Sequence, residues 1–183
     1  LSLGTANITA YVTNPVIVDS TQKLKNGGGS FDFAGGITLK SGSELVGQGQ
    51  EISGNISLSG GKLSIAQDTI FADNLAISAG STINIDALKT LTYDGATVGI
   101  GAAVLKIQGG GTFINTESTE LKLNSANSNL VLDNVTVAYV SVSAASNSNK
   151  GLQVTADSTL TNLSLTQKLR LSVAAEKTFS VTE

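Results

Sequence analysis

Along most of the chain, apolar residues fall at every second position in short pairs. Each pair is separated from the next by a small Gly, Ser or Ala corner. The rhythm is plain in Ile56-Ser-Leu58-Ser-Gly-Gly-Lys-Leu63-Ser-Ile65. It returns at Leu75-Ala-Ile77 with Ile83-Asn-Ile85, at Leu105-Lys-Ile107 with Phe113, and at Leu171-Ser-Val173 with Phe179-Ser-Val181; Ile37-Thr-Leu39 with Leu45 is a plainer copy. Period-2 alternation predicts strands that send one side inward. The starts at Ile37, Ile56 and Leu75 lie about 19 residues apart. Leu105, Leu121, Val140 and Leu163 are read as the later rungs, and their uneven spacing predicts loops of varying length.

Two folds compete for the short links. A hairpin would lay the second pair beside the first in one sheet, and it favours Asn-Gly or Asp-Gly turns. Those dipeptides occur only at Asn26-Gly27 and Asp94-Gly95. A β-arch would turn the chain by one corner and let the next copy stack above it. The repeat length suits one solenoid turn. The expected fold is therefore all-β, a parallel β-solenoid of about eight or nine rungs over residues 30–183, roughly 40 Å long at about 4.8 Å per rung. The alternative is a β-sandwich or jelly roll. Asn or Ser ladders are expected where corner residues stack.

No helix is predicted. Residues 117–129 are polar, but Leu121-Lys-Leu123 keeps the strand alternation. Residues 144–151 and 25–30 read as loops. Residues 1–29 lack the repeat and are read as an irregular N-terminal segment: a cap, a lateral strand or a strand donated to a neighbour. It carries strand-like runs at 7–13 and 15–19, and Pro15 favours an edge or a strand start.

Composition narrows the function. Val, Ile and Leu supply most of the apolar mass and suit pleated, half-buried strands, while small polar residues suit tight corners. With 183 residues the chain can bury a sizeable core without disulfides, and it has no Cys. The net charge is −3 and the lysines are scattered, which argues against nucleic acid, since phosphate neutralisation needs clustered Lys and Arg. No stretch approaches the roughly 20 apolar residues of a membrane helix. A start at Leu1 without Met is expected of a part of a longer chain.

The copies at residues 75–85 and 171–181 resemble bacterial cell-surface β-solenoids. They are similar to autotransporter passenger domains and filamentous-haemagglutinin-type exoproteins. The resemblance covers residues 30–183 and implies a right-handed parallel β-helix that serves in adhesion, stalk building or surface coating. It carries over no functional residue, and residues 1–29 depart from it.

Catalysis is not expected. Glycan cleavage needs carboxylates at a controlled separation, and Asp73 and Asp94 can meet on adjacent rungs, with Asp86 a further candidate. Asp at a corner more often bonds its own backbone. With no His and one Arg, Arg170, neither a Ser-based triad nor a zinc site is expected. Gly27–Gly29 lacks the repeats of a calcium roll, and neither it nor Gly109–Gly111 leads into a phosphate loop. No metal or cofactor is expected. Sequons begin at Asn7, Asn55, Asn134 and Asn162. An ice-binding rank needs Thr at alternate positions on successive rungs, and Thr90-Leu-Thr92 and Thr159-Leu-Thr161 read as isolated.

The ends are the remaining signal. A solenoid's terminal rungs expose unpaired backbone and template further stacking, so repeat proteins carry polar caps. Here a good strand at 178–182 runs to the end without one. The expected function is a non-catalytic, extracellular or cell-surface structural protein: a subunit or rod segment of a filament, sheath, surface layer or adhesin. Its expected partners are copies of itself or the rest of a longer rod, met through Ile8, Val16, Val18, Phe179 and Val181. A glycan-binding or glycan-cleaving β-helix, with surface glycans as partners, is the alternative.

Overall fold

The computed structural model describes residues 9–144, 151–161 and 169–182. No helix occurs among them. All pairings between strands are parallel, in a 12-stranded and an 8-stranded sheet. The only antiparallel contact among the described residues is the isolated bridge Lys40–Gly60. The links are therefore arches. A β-sandwich or jelly roll, which pairs antiparallel neighbours, does not describe this chain. Over residues 30–183, the span of that expectation, the described strands give eight levels in the larger sheet and seven in the smaller, near the eight or nine rungs expected, and residues 9–25 add one level to each.

From residue 9 to residue 154 the described rungs hold three runs rather than two. In one rung they are Thr69–Phe71, Leu75–Ala79 and Ser81–Ile85. The first two runs belong to the larger sheet and the third to the smaller. In other rungs the first two fuse into one bent strand, as in Ser30–Lys40 and Glu51–Ser59. The bend in the latter lies at Gly54, whose φ of +100° and closeness to the Phe33 carbonyl (2.2 Å from a would-be Cβ) leave room only for glycine.

Three similar runs per rung explain where the sequence marks miss. The column begun by Ile37, Ile56 and Leu75 continues through Val98, Leu121 and Val142. Leu105 lies in the other sheet, between Ser81 and Leu130. Val140 falls two residues before its column, and Leu163 lies outside the described residues. The repeat is also not fixed: Glu44 pairs with Lys62, while Lys106 pairs with Val131. Corners of different length absorb the difference.

Residues 9–29 join the ladders. Thr9–Tyr11 and Val16–Val18 pair with Ser30–Lys40, and Lys23–Lys25 pairs with Glu44–Gln48. The boundary at Ser30 is thus one of sequence rhythm, and the hydrogen-bonded rungs run across it.

The inward residues stack in columns. One runs Leu24, Leu45, Leu63, Ile83, Ile107, Leu132, Val154 and Val173. Burying each such aliphatic side chain stabilises by about 1.5–3 kcal/mol. Phe71, Tyr93 and Phe113 stack through the first-run core with centroids 6.2 and 6.0 Å apart.

Hydroxyl and amide side chains lock the corners. Thr69, Ser81 and Ser158 are buried. Each accepts a backbone N–H from the preceding rung (Gly49, Gly60 and Val135) and donates to the carbonyl two residues back. Asn26 is fully buried: its Nδ2 donates to Gly49 O at 2.6 Å and its Oδ1 accepts from Gln48 N at 2.7 Å. These bonds satisfy backbone groups that the arches would otherwise bury unpaired.

Candidate functional site

With the inward side filled by apolar columns, distinctive chemistry lies outside. On the eight-stranded sheet one outward column reads Lys23, Glu44, Lys62, Thr82, Lys106, Val131, Gln153 and Ser172. Glu44 meets Lys23 at 2.5 Å and Lys62 at 3.5 Å, and it accepts a hydrogen bond from the Ser64 hydroxyl. Burial raises its pKa, but the bonds from Lys23 and Ser64 and the charge of Lys62 outweigh this and hold it below the usual value. Lys106 pairs with Asp133. Amides stack between rungs, Gln108 on Asn84 and Asn129 beside Gln153, and Asn74 donates to Asn55 on the larger sheet's corner. The expected Asn ladders are present as such pairs.

The first run of the larger sheet differs. Thr90, Thr112, Thr136, Thr159 and Ser180 form one in-register outward column over five successive rungs. Two residues along each strand, Thr92, Ile114, Ala138, Thr161 and Thr182 form the second. Thr90-Leu-Thr92 and Thr159-Leu-Thr161 are thus joined through the first column, while the two rungs between them hold Ile114 and the buried Ala138 at the second position. The sequence reading missed it because the members lie 21–24 residues apart, off the repeat of about 19, and because only the doubled Thr-x-Thr segments were counted. The signal was a Thr or Ser directly before an inward apolar residue (Leu91, Phe113, Val137, Leu160, Val181) in each of these rungs.

None of these ten positions carries a charge. The nearest corner carboxylates bond backbone: Asp68 accepts from Thr90 N at 2.8 Å and Asp157 from Thr178 N at 2.7 Å. An open groove of about 380 Å³ flanks the first column, lined by Asn134, Thr136, Asp157, Thr159, Thr178 and Ser180 among others.

The acidic candidates are spread among corners. Asp73 accepts from Gly54 N at 2.8 Å, on the rung before its own. Asp86 accepts from Asn84 Nδ2 at 2.9 Å. Asp94 sits on the rung after Asp73, at the same corner, where its own N–H reaches Phe71 O. The Tyr93 phenol lies beneath this corner, fully buried, donating to Thr97 O and accepting from Leu75 N. Burial, with Asp73 nearby, pushes its pKa up to about 12.

Of the assembly residues, Val18 is buried and Val16 half-buried in the first rung, with Val16 against the core. Phe179 is half-buried and Val181 is 54% exposed in the last strand. Ile8 lies outside the described residues. Leu171 and Val173, inward-facing by register, are also exposed, and the sequence reading did not single them out. Of the sequons, Asn55 and Asn134 are exposed, and Asn7 and Asn162 lie outside the described residues. Compared with protein-family models, curated proteins and solved structures, the chain matches none.

Proposed function

We propose that this chain is a non-catalytic rod segment of an extracellular or cell-surface structure, in the manner of the autotransporter passengers and filamentous-haemagglutinin-type exoproteins it resembles. One observation carries the reading. The apolar columns do not taper into polar residues at the last described rung: Leu171, Val173 and Val181 hold inward register yet stand 50%, 41% and 54% exposed. A further rung stacked on them would bury them and pair the open strand edges of residues 171–173 and 179–182. More of the same repeat, in one longer chain or in a second copy, supplies that rung.

The test is negative-stain microscopy and sedimentation of the protein over a range of concentrations, beside Val173→Lys with Val181→Lys. End-to-end rods or concentration-dependent association, abolished by the lysine pair, is the expected result for stacking between copies. A strictly monomeric particle at high concentration removes that version. Turnover of a polysaccharide, reduced by Asp73→Asn or Asp94→Asn, would overturn the non-catalytic reading.

A further inference from the structure

We propose that the hydroxyl face formed by residues 90–182 binds ice. A solid water lattice offers donors and acceptors at fixed repeats. A protein face that matches it must be flat, uncharged and regular, with its polar groups free.

The ladder provides the regularity. Neighbouring rungs lie about 4.8 Å apart, and alternate residues along a strand lie about 6.6 Å apart. Both values fall near the oxygen repeats of ice faces. The five rungs stay in register through the pairs Leu91–Phe113, Phe113–Val137, Val137–Leu160 and Leu160–Val181. Among these five rungs the register shift comes after Ile114, beyond the rank.

The side chains supply free, pre-set groups. Thr is β-branched and stiff at χ1, so little freedom is lost when its hydroxyl meets a lattice. Thr90, Thr112, Thr136 and Thr159 are half-exposed, and their hydroxyls take no partner among the described residues; in the second column the Thr161 hydroxyl accepts the Tyr139 N–H at 3.3 Å. Their methyls and the half-exposed Ile114 set apolar surface beside the hydroxyls, while Ala138 in the second column is buried. A charged side chain would hold a hydration shell of its own geometry, and none stands among the ten positions. The charges of the same sheet, at Asp32, Lys40, Glu51, Glu120 and Lys122, fall outside these ten positions.

The groove beside the first column continues the same surface, with the Asp157 carboxylate in its lining held by the Thr178 N–H. It is open, and Asn134, Asp157 and Thr178 line it together with three members of the rank. At about 30 Å³ per water, its volume of about 380 Å³ has room for on the order of ten waters.

This inference does not rest on the rod reading, and it is tested separately. Ice-crystal growth is observed under a microscope in a nanolitre osmometer, and partition into a slowly grown ice hemisphere is measured. The expected result is faceted crystals, a gap between melting and growth temperatures, and several-fold enrichment in ice over a non-binding control protein. Thr136→Lys with Thr159→Lys, and separately Thr112→Lys, should each remove most of the gap and the enrichment while circular dichroism and the melting temperature stay near those of the unchanged protein. Gln153→Lys, on the eight-stranded sheet, should retain both. Unshaped crystals with the unchanged protein, or full activity in folded Thr→Lys variants, would overturn the proposal. So would exclusion from ice together with retention on insoluble polysaccharide, which would make the face a glycan platform.

Discussion

On the eight-stranded sheet, the outward column that begins at Lys23 changes chemistry at nearly every rung: Glu44, Lys62, Thr82, Lys106. On the twelve-stranded sheet, the column that begins at Thr90 repeats a hydroxyl for five rungs. Both columns ride on the same backbone and cover the same core. The difference follows from stacking. In a parallel, in-register ladder each outward residue sits directly above its counterpart, and like charges so placed repel. A charged column must therefore alternate, as Lys23, Glu44 and Lys62 do. A neutral hydroxyl column has no such penalty and can repeat. The fold dictates only the inward side, so a repeated outward residue is a property of the surface and not a requirement of folding.

If the interior is common to both sheets, it should be equally sensitive beneath either face. Leu63 lies under the charged sheet and Leu91 under the hydroxyl sheet, and both are fully buried. Leu63→Ala and Leu91→Ala should each cost about 2–5 kcal/mol in urea unfolding. Val173→Ala, in the exposed last rung, should cost less than about 1 kcal/mol. A large loss under one sheet only would break the comparison, because the columns would then not share one core.

The corners join the sheets and come next in size. Asn26→Ala would leave Gln48 N–H and Gly49 C=O without their side-chain partners. A stability loss of about 2–3 kcal/mol is expected, read from the same unfolding curves. A loss within about 0.5 kcal/mol would mean that water replaces the amide and the corner is not the joint proposed.

How much of this was legible follows from what each level of the structure demands. Inward alternation is imposed by burial, so Ile56-Ser-Leu58 and Leu63-Ser-Ile65 announced strands and the all-β parallel stack. The third run per rung was hidden because Leu105-Lys-Ile107 and Leu75-Ala-Ile77 look alike, although they occupy different sheets. Only register separates them, and register depends on corners whose lengths vary. The Thr rank was hidden for the same reason: Thr90 and Thr112 become neighbours only once Leu91 is paired with Phe113. The Asp corners were legible as turn chemistry, since Asp68, Asp73 and Asp157 each hold a backbone N–H.

The buried tyrosine gives a smaller effect with a defined pH window. Tyr93 stands in the first-run core, under the hydroxyl sheet, and its pKa is pushed up to about 12 by burial, with Asp73 adding to it and the Leu75 N–H opposing it. An unfolded tyrosine ionises near 10. Below about 10 both states hold the proton and stability is unaffected. Between about 10 and about 12 the unfolded state loses its proton first, so stability falls as pH rises. Urea midpoints measured from pH 9 to 12 should decline over that interval, and Tyr93→Phe should flatten the decline. A decline unchanged in Tyr93→Phe would assign it to other groups.

The smallest effect is the one that separates the two faces most cleanly, because it depends on charge alone. Glu44 is held below its usual pKa by Lys23, Ser64 and Lys62 against the opposing effect of burial. A carboxylate with a lowered folded pKa stabilises fully above its unfolded value, near 4.3, and the contribution is lost as pH falls through the folded pKa. Because Lys23 and Lys62 are largely exposed, the pair energies are small, of order 0–1 kcal/mol. Glu44→Gln should therefore cost at most about 1 kcal/mol at pH 7, and less in 1 M salt, where the screening length drops to about 3 Å. Below the folded pKa the variant and the unchanged protein should unfold alike. Thr112→Ser on the hydroxyl sheet should shift stability by no more than about 0.5 kcal/mol, with no dependence on salt or acid. A salt-independent cost at Glu44 would mean that its hydrogen bond from Ser64 carries the effect, and the charged sheet would then be held as the hydroxyl sheet is, by geometry rather than by charge.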